Sequence, residues 1–398
     1  MARLVLPLTA GALFAVLGIV RATGHVELYD SIVSAWGVAP FDFPFVDIHG
    51  VLSSVQCWGE GVNVYVSNPC DVLGRVFFYS PLLLWLAPTG LGVSATPYAG
   101  LLVDGLFIAS LALLPLPRKS AEFAILLMAL LSTTTVFAVE RANIDLLIFA
   151  LAALAVTMPG RVRYALIGIA GLVKFYPAVM FVLALGERPR RFCWIAGLAA
   201  LVGGVFLAFY RPELSLALAN VPQGRYFTDL FGAVNLPYGL AALGLPVSPA
   251  ALELVLAPAA FAAAVALAPR VAWPRLAERE ALCLAAGAAL MTGCFFAGQS
   301  IGYRGVFLLL AMPGLLALGR SSRVFAVTAL LAVFLMWSEL FRHAIDSAWP
   351  GAAFAFWLGR ELAWWWVMAA LGGALLAFAR TTPLGRAVES LARPIRLA

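Results

Sequence analysis

Long apolar runs separated by short polar segments make up most of the 398-residue chain. The apolar positions are continuous rather than alternating, which is typical of buried helices and not of half-buried strands. Each run is close to the roughly 20 residues that a helix needs to cross the hydrocarbon core of a membrane. The pattern predicts spans at residues 4–20, 98–115, 121–139, 145–159, 192–210, 249–269, 280–297, 305–319, 323–341 and 353–379.

Two shorter apolar segments need a different interpretation. Residues 162–187 have arginines at both ends but are too short for two full crossings, so we predict a hairpin of two short helices. Its apex carries Lys174 beside the helix-breaking Pro177. Residues 77–91 are short and broken by prolines, and they predict a re-entrant or interfacial helix. Counting the hairpin, we expect about twelve helices.

Composition supports a membrane protein. With 63% apolar and only 12% charged residues, the chain has too few polar side chains to form a surface that faces water. The runs are rich in Leu, Ala, Gly and Phe, which favours packed helices over a β-barrel. We predict an all-α polytopic membrane protein with one integral domain over residues 1–398. Its parts are a large first extracytoplasmic loop with a juxtamembrane helix (21–97), a conserved-type module (98–210) and a variable helical module (211–398).

The basic residues predict the orientation of the chain, because cytoplasmic loops are enriched in Lys and Arg. An inner N-terminus and C-terminus, with the first span retained, places most of the basic residues inside and most of the acidic residues outside. The net charge of +6 therefore reflects the orientation of the chain in the membrane and does not indicate a nucleic-acid partner. The basic residues assigned to the inner face are Arg3, Arg118, Lys119, Arg161, Arg163, Arg188, Arg190, Arg191, Arg270, Arg275, Arg279, Arg320, Arg323, Arg380, Arg386, Arg393 and Arg396.

The polar loop after the first span is crowded with acidic groups. Such a loop on the outer face indicates chemistry at the membrane surface, with Asp47 as the first candidate. Cys57 and Cys70 lie thirteen residues apart in this loop, where oxidation is permitted, so we predict a disulfide, with two free thiols as the alternative. The acidic residues of the loop are Glu27, Asp30, Asp42, Asp47, Glu60 and Asp71.

The segment ERANID places four polar side chains at the outer mouth of two consecutive spans. They are either solvated helix ends with a cap or, if they face the acidic loop, part of one aqueous pocket in which Arg141 binds phosphate. The residues of the segment are Glu140, Arg141, Asn143 and Asp145.

Lys174 is a stronger candidate, because an ammonium between apolar helices needs an anionic partner or a water-filled cavity. The alternative is a side chain that extends to the interface. The segment GQSIGYR adds Gln299, Tyr303 and Arg304 at another outer helix end, with Arg304 as a second phosphate clamp. No metal-ligand spacing and no Gly-rich phosphate loop is present, so we expect neither a metal nor a cofactor.

In this order the motifs resemble the GT-C superfamily of polyprenyl-phosphate-sugar glycosyltransferases, and most nearly glycosyltransferase family 87. The similar stretches are VDIHGVLSSVQCWGEGVNVY with Asp47, FFYSPLLLWL with Tyr79, RANID, LVKFYP and the later GYR. Apart from GYR, these stretches lie in about the first half of the chain. The resemblance implies a GT-C-like helical bundle.

The resemblance also implies a reaction: inverting transfer of a sugar from a polyprenyl phosphate to an acceptor hydroxyl outside the membrane. Mannose is the sugar of the similar family, and the sequence leaves the sugar open. Asp47 would be the general base, with Asp30 and Asp42 as the other acids to consider and His49 as an alternative base or an orienting group. Lys174, Arg141 and Arg304 would bind the donor phosphate. The partners would be this donor, a lipid or glycan acceptor and membrane lipid. The implied pocket also contains Tyr79, Glu140, Asn143, Asp145, Tyr176, Gln299 and Tyr303.

Other classes of function fit the same composition. A secondary transporter would use the intramembrane charges for its substrate or for protons, although no internal repeats are evident. A lipid-modifying enzyme of another class would ordinarily show a Ser or Thr nucleophile with metal ligands, or a His-centred motif. A non-enzymatic scaffold is the third alternative.

Overall fold

The computed structural model describes residues 2–222 and 224–386. It is nearly all α, with 77% of the chain helical. Arg393 and Arg396, which the charge pattern assigns to the inner face, and the end of the predicted module 211–398 lie outside the described residues.

The first half of the chain is a series of α-helices interrupted by short 3-10 helices. The α-helices of this half are α1 (Val5–Ala22), α2 (Val26–Ala35), α3 (Val46–Gly59), α4 (Thr96–Ser110), α5 (Ser120–Leu130), α6 (Thr133–Glu140), α7 (Ile144–Thr157), α8 (Gly160–Lys174) and α9 (Pro189–Phe209). The 3-10 helices of this half are Ala2–Leu4, Pro81–Thr89, Val93–Ala95, Leu111–Leu113 and Tyr176–Gly186.

The second half continues in the same way and adds one pair of two-residue strands. Its α-helices are α10 (Arg211–Ala219), α11 (Asn235–Ala242), α12 (Pro249–Leu267), α13 (Glu278–Ala297), α14 (Leu308–Gly319), α15 (Arg323–Met336), α16 (Ser338–Ala348) and α17 (Ala353–Thr381). Its 3-10 helices are Ala268–Arg270, Trp273–Arg275, Gly302–Phe307 and Pro350–Ala352. The strands β1 (Leu230–Phe231) and β2 (Ser300–Ile301) are antiparallel, with Leu230 opposite Ile301 and Phe231 opposite Ser300.

Within the described residues, seven helices are long and apolar enough to cross a membrane, and nine if each of two bent helix pairs is one span. The chain is therefore a multi-pass membrane protein. The predicted total of about twelve helices, the large outer loop and the inner position of the termini stay predictions.

The two bent spans, α5 with α6 and α15 with α16, bend by 43° and 61°. The sequence predicts one span at residues 121–139 and one at 323–341, and it does not indicate the bends. At the first bend Ser132 caps α6 by accepting a hydrogen bond from Thr135 N. Carbonyls near this bend accept indole N–H groups: Leu131 O from Trp36 at 2.8 Å and Met128 O from Trp337 at 2.9 Å. Bends in apolar helices are stable where such donors satisfy the backbone.

A hairpin of two short helices forms where the sequence predicts one. Helix α8 ends at Lys174, the chain reverses at Phe175, and the 3-10 helix Tyr176–Gly186 returns against α8. Tyr164 near the start of α8 donates a hydrogen bond to Leu183 O near the end of the returning helix, so the two arms are antiparallel. The reversal places Lys174 at the apex.

The spans differ in how tightly they pack. Helix α13 packs against α14 and α17 at the centre of the molecule, and 67% of its apolar window is buried. By contrast, only 6% of the window in α9 and 11% in the span that contains α12 are buried. The core is therefore concentrated around α7, α13, α14 and α17, and it supports the end of the molecule at which α3, α7 and the apex of the hairpin meet.

Candidate functional site

Four segments of the chain bring polar side chains together where their helices begin or end. Asp47 lies in the first turn of α3, Asn143 and Asp145 at the start of α7, Lys174 at the end of α8, and Arg304 in the 3-10 helix Gly302–Phe307. Because helix ends carry unpaired backbone groups, they accommodate polar side chains better than helix interiors do. We call Asp47, Asn143, Asp145, Lys174, Tyr176 and Arg304 the central cluster.

Asn143 is the bridge of the central cluster. As the N-cap of α7, its Oδ1 accepts a hydrogen bond from Asp145 N at 2.9 Å. The same oxygen accepts from Lys174 Nζ at 3.3 Å, and Nδ2 donates to Asp47 Oδ2 at 2.6 Å. One fully buried amide therefore separates a carboxylate from an ammonium.

Lys174 is buried and its ammonium needs an anionic partner, which Asp145 provides. Its Oδ1 accepts hydrogen bonds from Lys174 Nζ at 2.5 Å and Tyr176 Oη at 2.6 Å, and its Oδ2 lies 3.6 Å from Arg304 Nε. The Asp145 side chain is completely buried, and Oδ2 itself has no hydrogen-bond partner among the described residues. Two basic side chains and one carboxyl give this side of the central cluster a formal charge of +1.

Tyrosine rings enclose the two cations. The Lys174 ammonium lies 5.3 Å from the ring centre of Tyr79 and 6.0 Å from that of Tyr303. The Arg304 guanidinium lies 5.1 Å from the ring centre of Tyr176, and its Nη1 donates to Ser300 Oγ at 2.7 Å. Aromatic faces stabilise cations without neutralising them, so the positive charge remains available to an anion.

The backbone is strained on each side of the central cluster. Outside glycine, the described residues with a left-handed backbone are Phe45, Ala142 and Phe175, with φ values of 64°, 44° and 56°. They lie two residues before Asp47, directly before Asn143 and directly after Lys174. Such conformations cost on the order of 1–3 kcal/mol each and concentrate at functional sites. All three therefore support a functional assignment for the central cluster.

Arg75 and Asp71 extend the site on the other side of Asp47, and the sequence motifs do not identify them. Arg75 Nη1 lies 3.6 Å from Asp47 Oδ1, and Arg75 Nε donates to Asp71 Oδ2 at 2.8 Å. Burial raises the pKa of the Asp71 carboxyl, but the hydrogen bonds and charge of Arg75 outweigh it, so the pKa lies below its usual value. Asp71 is therefore ionised, and this side of the site carries a net charge of −1.

His49 faces Asp71 and not Asp47. Its Nδ1 lies 3.3 Å from Thr96 Oγ1, and its Nε2 lies 3.8 Å from Asp71 Oδ1. The expected role of His49 in orienting Asp47 therefore has no support from a direct contact. Burial lowers the pKa of His49, while Asp71 opposes the shift.

The lowered pKa of His49 predicts that acid destabilises the folded chain. Because the imidazole is harder to protonate in the folded chain, the unfolded chain binds more protons below its pKa of about 6.5. Unfolding temperature should therefore fall as pH decreases from about 7 to 5, and the fall should be smaller in His49→Asn, which does not titrate. The exposed His343 gives the matched control, His343→Asn, which should behave as wild type. Parallel curves for wild type and His49→Asn would contradict this prediction.

Cys57 and Cys70 form a disulfide in the structure. Cys57 belongs to α3 and Cys70 directly precedes Asp71, so the bridge ties the segment that carries Asp71 and Arg75 to the helix that carries Asp47. Tyr65 Oη, from the closed loop, donates to Tyr79 O at 3.3 Å. The disulfide thus fixes the loop around the site.

Loss of the disulfide should destabilise the protein. Exchange of Cys57 and Cys70 for Ala is expected to lower the free energy of unfolding by about 2–4 kcal/mol, since a cross-link across a short loop restricts the unfolded chain by that amount. Chemical unfolding of protein in lipid would measure it. Cys193→Ala, which removes an exposed free thiol, is the control, and an equal loss in both variants would refute the assignment.

Three predicted site residues lie apart from the central cluster. The Arg141 guanidinium lies between Phe41 and Phe137, at 4.5 and 4.3 Å from their ring centres, and its Nε is 3.8 Å from Glu140. Among the described residues no ion pair joins Arg141 or Glu140 to the cluster, although Asp47 N donates to Arg141 O at 3.1 Å. Gln299 bonds to the backbone of Gly224 instead.

The other two acids considered for a base also lie elsewhere. Asp30 pairs with Arg21 at 3.6 Å, and Arg21 donates to the backbone carbonyl of Asp42 at 2.6 Å. Tyr303, which was predicted for the pocket, does lie beside Lys174. Asp47 is thus the one of the three carboxylates that the structure places against Asn143.

The described residues contain one group with the spacing of a metal site, Cys57, Glu60 and Cys70. Its two thiols are bonded to each other, so they cannot serve as thiolate ligands while the disulfide is intact. The chemistry available at the central cluster is that of a carboxylate facing a pair of cations.

Compared with known proteins, the chain matches no family model, no curated protein and no solved structure.

Proposed function

We propose that this chain is a membrane glycosyltransferase with a GT-C-like bundle. It would move a sugar from a polyprenyl-phosphate donor to an acceptor hydroxyl on the extracytoplasmic side, with inversion at the anomeric carbon. The observation that carries the proposal is the bridge through Asn143, which sets the carboxylate of Asp47 beside the cationic pair Lys174 and Arg304. Asn143 thus bonds a candidate base through Nδ2 and a candidate anion-binding cation through Oδ1, and a displacement reaction uses one such group at each of its two ends.

The chemistry assigns one role to each side of the site. Asp47 takes the proton of the acceptor hydroxyl as its oxygen attacks the anomeric carbon. The bond from that carbon to the phosphate oxygen breaks, and its electron pair leaves with the polyprenyl phosphate. A general base contributes roughly 10²- to 10⁴-fold to such a step. Lys174 and Arg304 stabilise the charge that develops on the departing phosphate, and the enclosed site strengthens this effect.

The charge of the cluster favours this donor. A sugar linked through one phosphate carries a single negative charge, which matches the net +1 of Lys174, Arg304 and Asp145. The phosphate gains a second charge as it departs, so the cations interact more strongly with the leaving group than with the bound donor, as catalysis requires. Lys174 also retains one N–H beyond its bonds to Asn143 and Asp145.

The position of the site suits an amphiphilic substrate. The cations lie where α7 begins and α8 ends, next to apolar spans. A phosphate could bind there while its polyprenyl chain remains in lipid beside the hairpin. The expected inner position of the basic residues would put this end of the bundle outside.

The test is transfer by purified protein in lipid bilayers. Radiolabelled polyprenyl-phosphate mannose, glucose and arabinose would be offered with acceptors extracted from the host membrane. We expect label from one donor to enter a lipid or glycan product, and the corresponding polyprenyl-pyrophosphate sugar, with its extra charge, to be a poor donor. If the protein neither binds nor transfers any of the three, the proposal fails.

A secondary transporter is the second candidate. The buried ion pair of Lys174 and Asp145 favours it, since intramembrane charges often couple substrate movement to ions. Proteoliposomes would distinguish the two functions: a transporter moves labelled substrate across the bilayer without a new covalent product.

A further inference from the structure

We infer that Arg75 is a positioning residue that presents Oδ1 of Asp47 as the proton-accepting atom. The inference rests on the proposed function and adds to it a residue outside every motif that led there. It follows from how Arg75 is held, from the different partners of the two Asp47 oxygens, and from the absence of a side chain at Gly50.

Arg75 has little freedom to turn. Its Nε and Nη2 donate to the two oxygens of Asp71 at 2.8 and 3.2 Å, and its backbone N donates to Asp71 Oδ2 at 2.9 Å. Nη2 also donates to Val46 O at 2.8 Å. Because the guanidinium is planar and rigid, these bonds fix where Nη1 points. Nη1 points at Asp47.

The two oxygens of Asp47 have different surroundings. Oδ2 accepts a hydrogen bond from Asn143 Nδ2 at 2.6 Å. Oδ1 lies 3.6 Å from Arg75 Nη1, which is beyond hydrogen-bond distance but within range of charge attraction. Arg75 therefore orients Oδ1 without occupying its lone pairs, and Oδ1 is the oxygen left to accept a proton.

Gly50 leaves the space that Arg75 fills. A Cβ at Gly50 would lie 2.7 Å from Arg75 Nη2, closer than such atoms approach. The crowded atom is the far end of a flexible side chain, so the helix can accept Ala there by moving the guanidinium. Gly50→Ala thus displaces Arg75 without removing its charge.

The experiment compares variants in the transfer assay and by thermal unfolding in lipid bilayers. Arg75→Gln should lower kcat about 30- to 100-fold while the KM for the polyprenyl-phosphate donor changes less than about threefold, a part of the 10²- to 10⁴-fold effect of the base itself. Arg75→Lys should recover about a third of the decrease in log kcat. An ammonium keeps the charge, but it cannot bind Asp71 and face Asp47 at the same time.

Gly50→Ala separates position from folding. Ala favours helix more than Gly does, which offsets part of the cost of moving the guanidinium from Asp71 and Val46 O, so Gly50→Ala should unfold closer to the wild-type temperature than Arg75→Gln does, while its kcat should fall about tenfold. Arg342→Gln is the matched control, because Arg342 is a similarly part-buried arginine that pairs with Glu339 and Asp346. It should keep the wild-type kcat.

The outcomes distinguish this inference from the proposed function. Transfer by wild type with unchanged kcat in folded Arg75→Gln and Gly50→Ala would overturn the positioning role and leave the glycosyltransferase standing. A rise in donor KM with kcat retained would also overturn it, since Arg75 would then bind the donor. Failure of wild type to transfer any donor would overturn both.

Discussion

Asp47→Asn is expected to lower the rate of sugar transfer by about 10²- to 10⁴-fold, the usual contribution of a general base. The amide keeps an oxygen that can accept the hydrogen bond from Asn143, so the local fold should persist. Lys174, Arg304 and Asp145 are unchanged, and the donor should bind with its wild-type Kd. Transfer of labelled sugar and binding of the donor, measured on the same preparation in lipid, would give both values.

The controls are the other acids of the first loop. Asp30 pairs with Arg21, and the backbone carbonyl of Asp42 accepts a hydrogen bond from the same arginine. Asp30→Asn and Asp42→Asn should therefore transfer sugar at about the wild-type rate. Full activity in Asp47→Asn, together with its loss in one of these variants, would assign the base to the other carboxylate.

Asp145→Ala is expected to destabilise the protein by about 3–5 kcal/mol, because removing one partner of a buried ion pair leaves an uncompensated charge. Lys174 would lose its shortest hydrogen bond and Tyr176 its acceptor. The Asn143 cap would remain, since it binds the backbone of residue 145. Chemical unfolding in lipid would measure the loss, and transfer should fall below detection.

A second variant tests whether Asp145→Ala loses stability because of the unpaired charge or because of the space left by the side chain. The double exchange Asp145→Leu with Lys174→Met removes both members of the pair and fills the space with apolar atoms, which is often neutral or stabilising for buried pairs. The double variant should recover most of the stability that Asp145→Ala loses, and it should recover none of the sugar transfer. Wild-type stability in Asp145→Ala would show that the pair does not hold this part of the fold.

The sequence is informative where burial leaves a polar group few choices. A lysine within an apolar hairpin must find an anion, and Asp145 is that anion. The hairpin itself follows from arginines at both ends of a short apolar segment and from Pro177, and the structure reverses direction beside that proline.

Side-chain direction in the loops is less predictable, because it depends on the path of the backbone and has no periodicity. Arg141 belongs to a motif that reaches the site, yet its side chain lies between Phe41 and Phe137. Arg75 belongs to no motif, yet it reaches Asp47 because Asp71 and Val46 hold it. At the bend between α5 and α6, carbonyls accept hydrogen bonds from indole donors elsewhere in the chain, and hydropathy does not reveal such donors.

Helices α9 and α12 bury little of their surface within the protein, so lipid chains supply much of their packing. A detergent micelle replaces those chains with a more mobile and less ordered annulus. The first event on heating in detergent would then be loosening of α9, which packs on the protein less than α12 does, while the central cluster is still intact. Unfolding temperatures compared between site variants would report the annulus rather than the site, and nanodiscs with a defined lipid composition are the appropriate medium for every stability comparison on this protein.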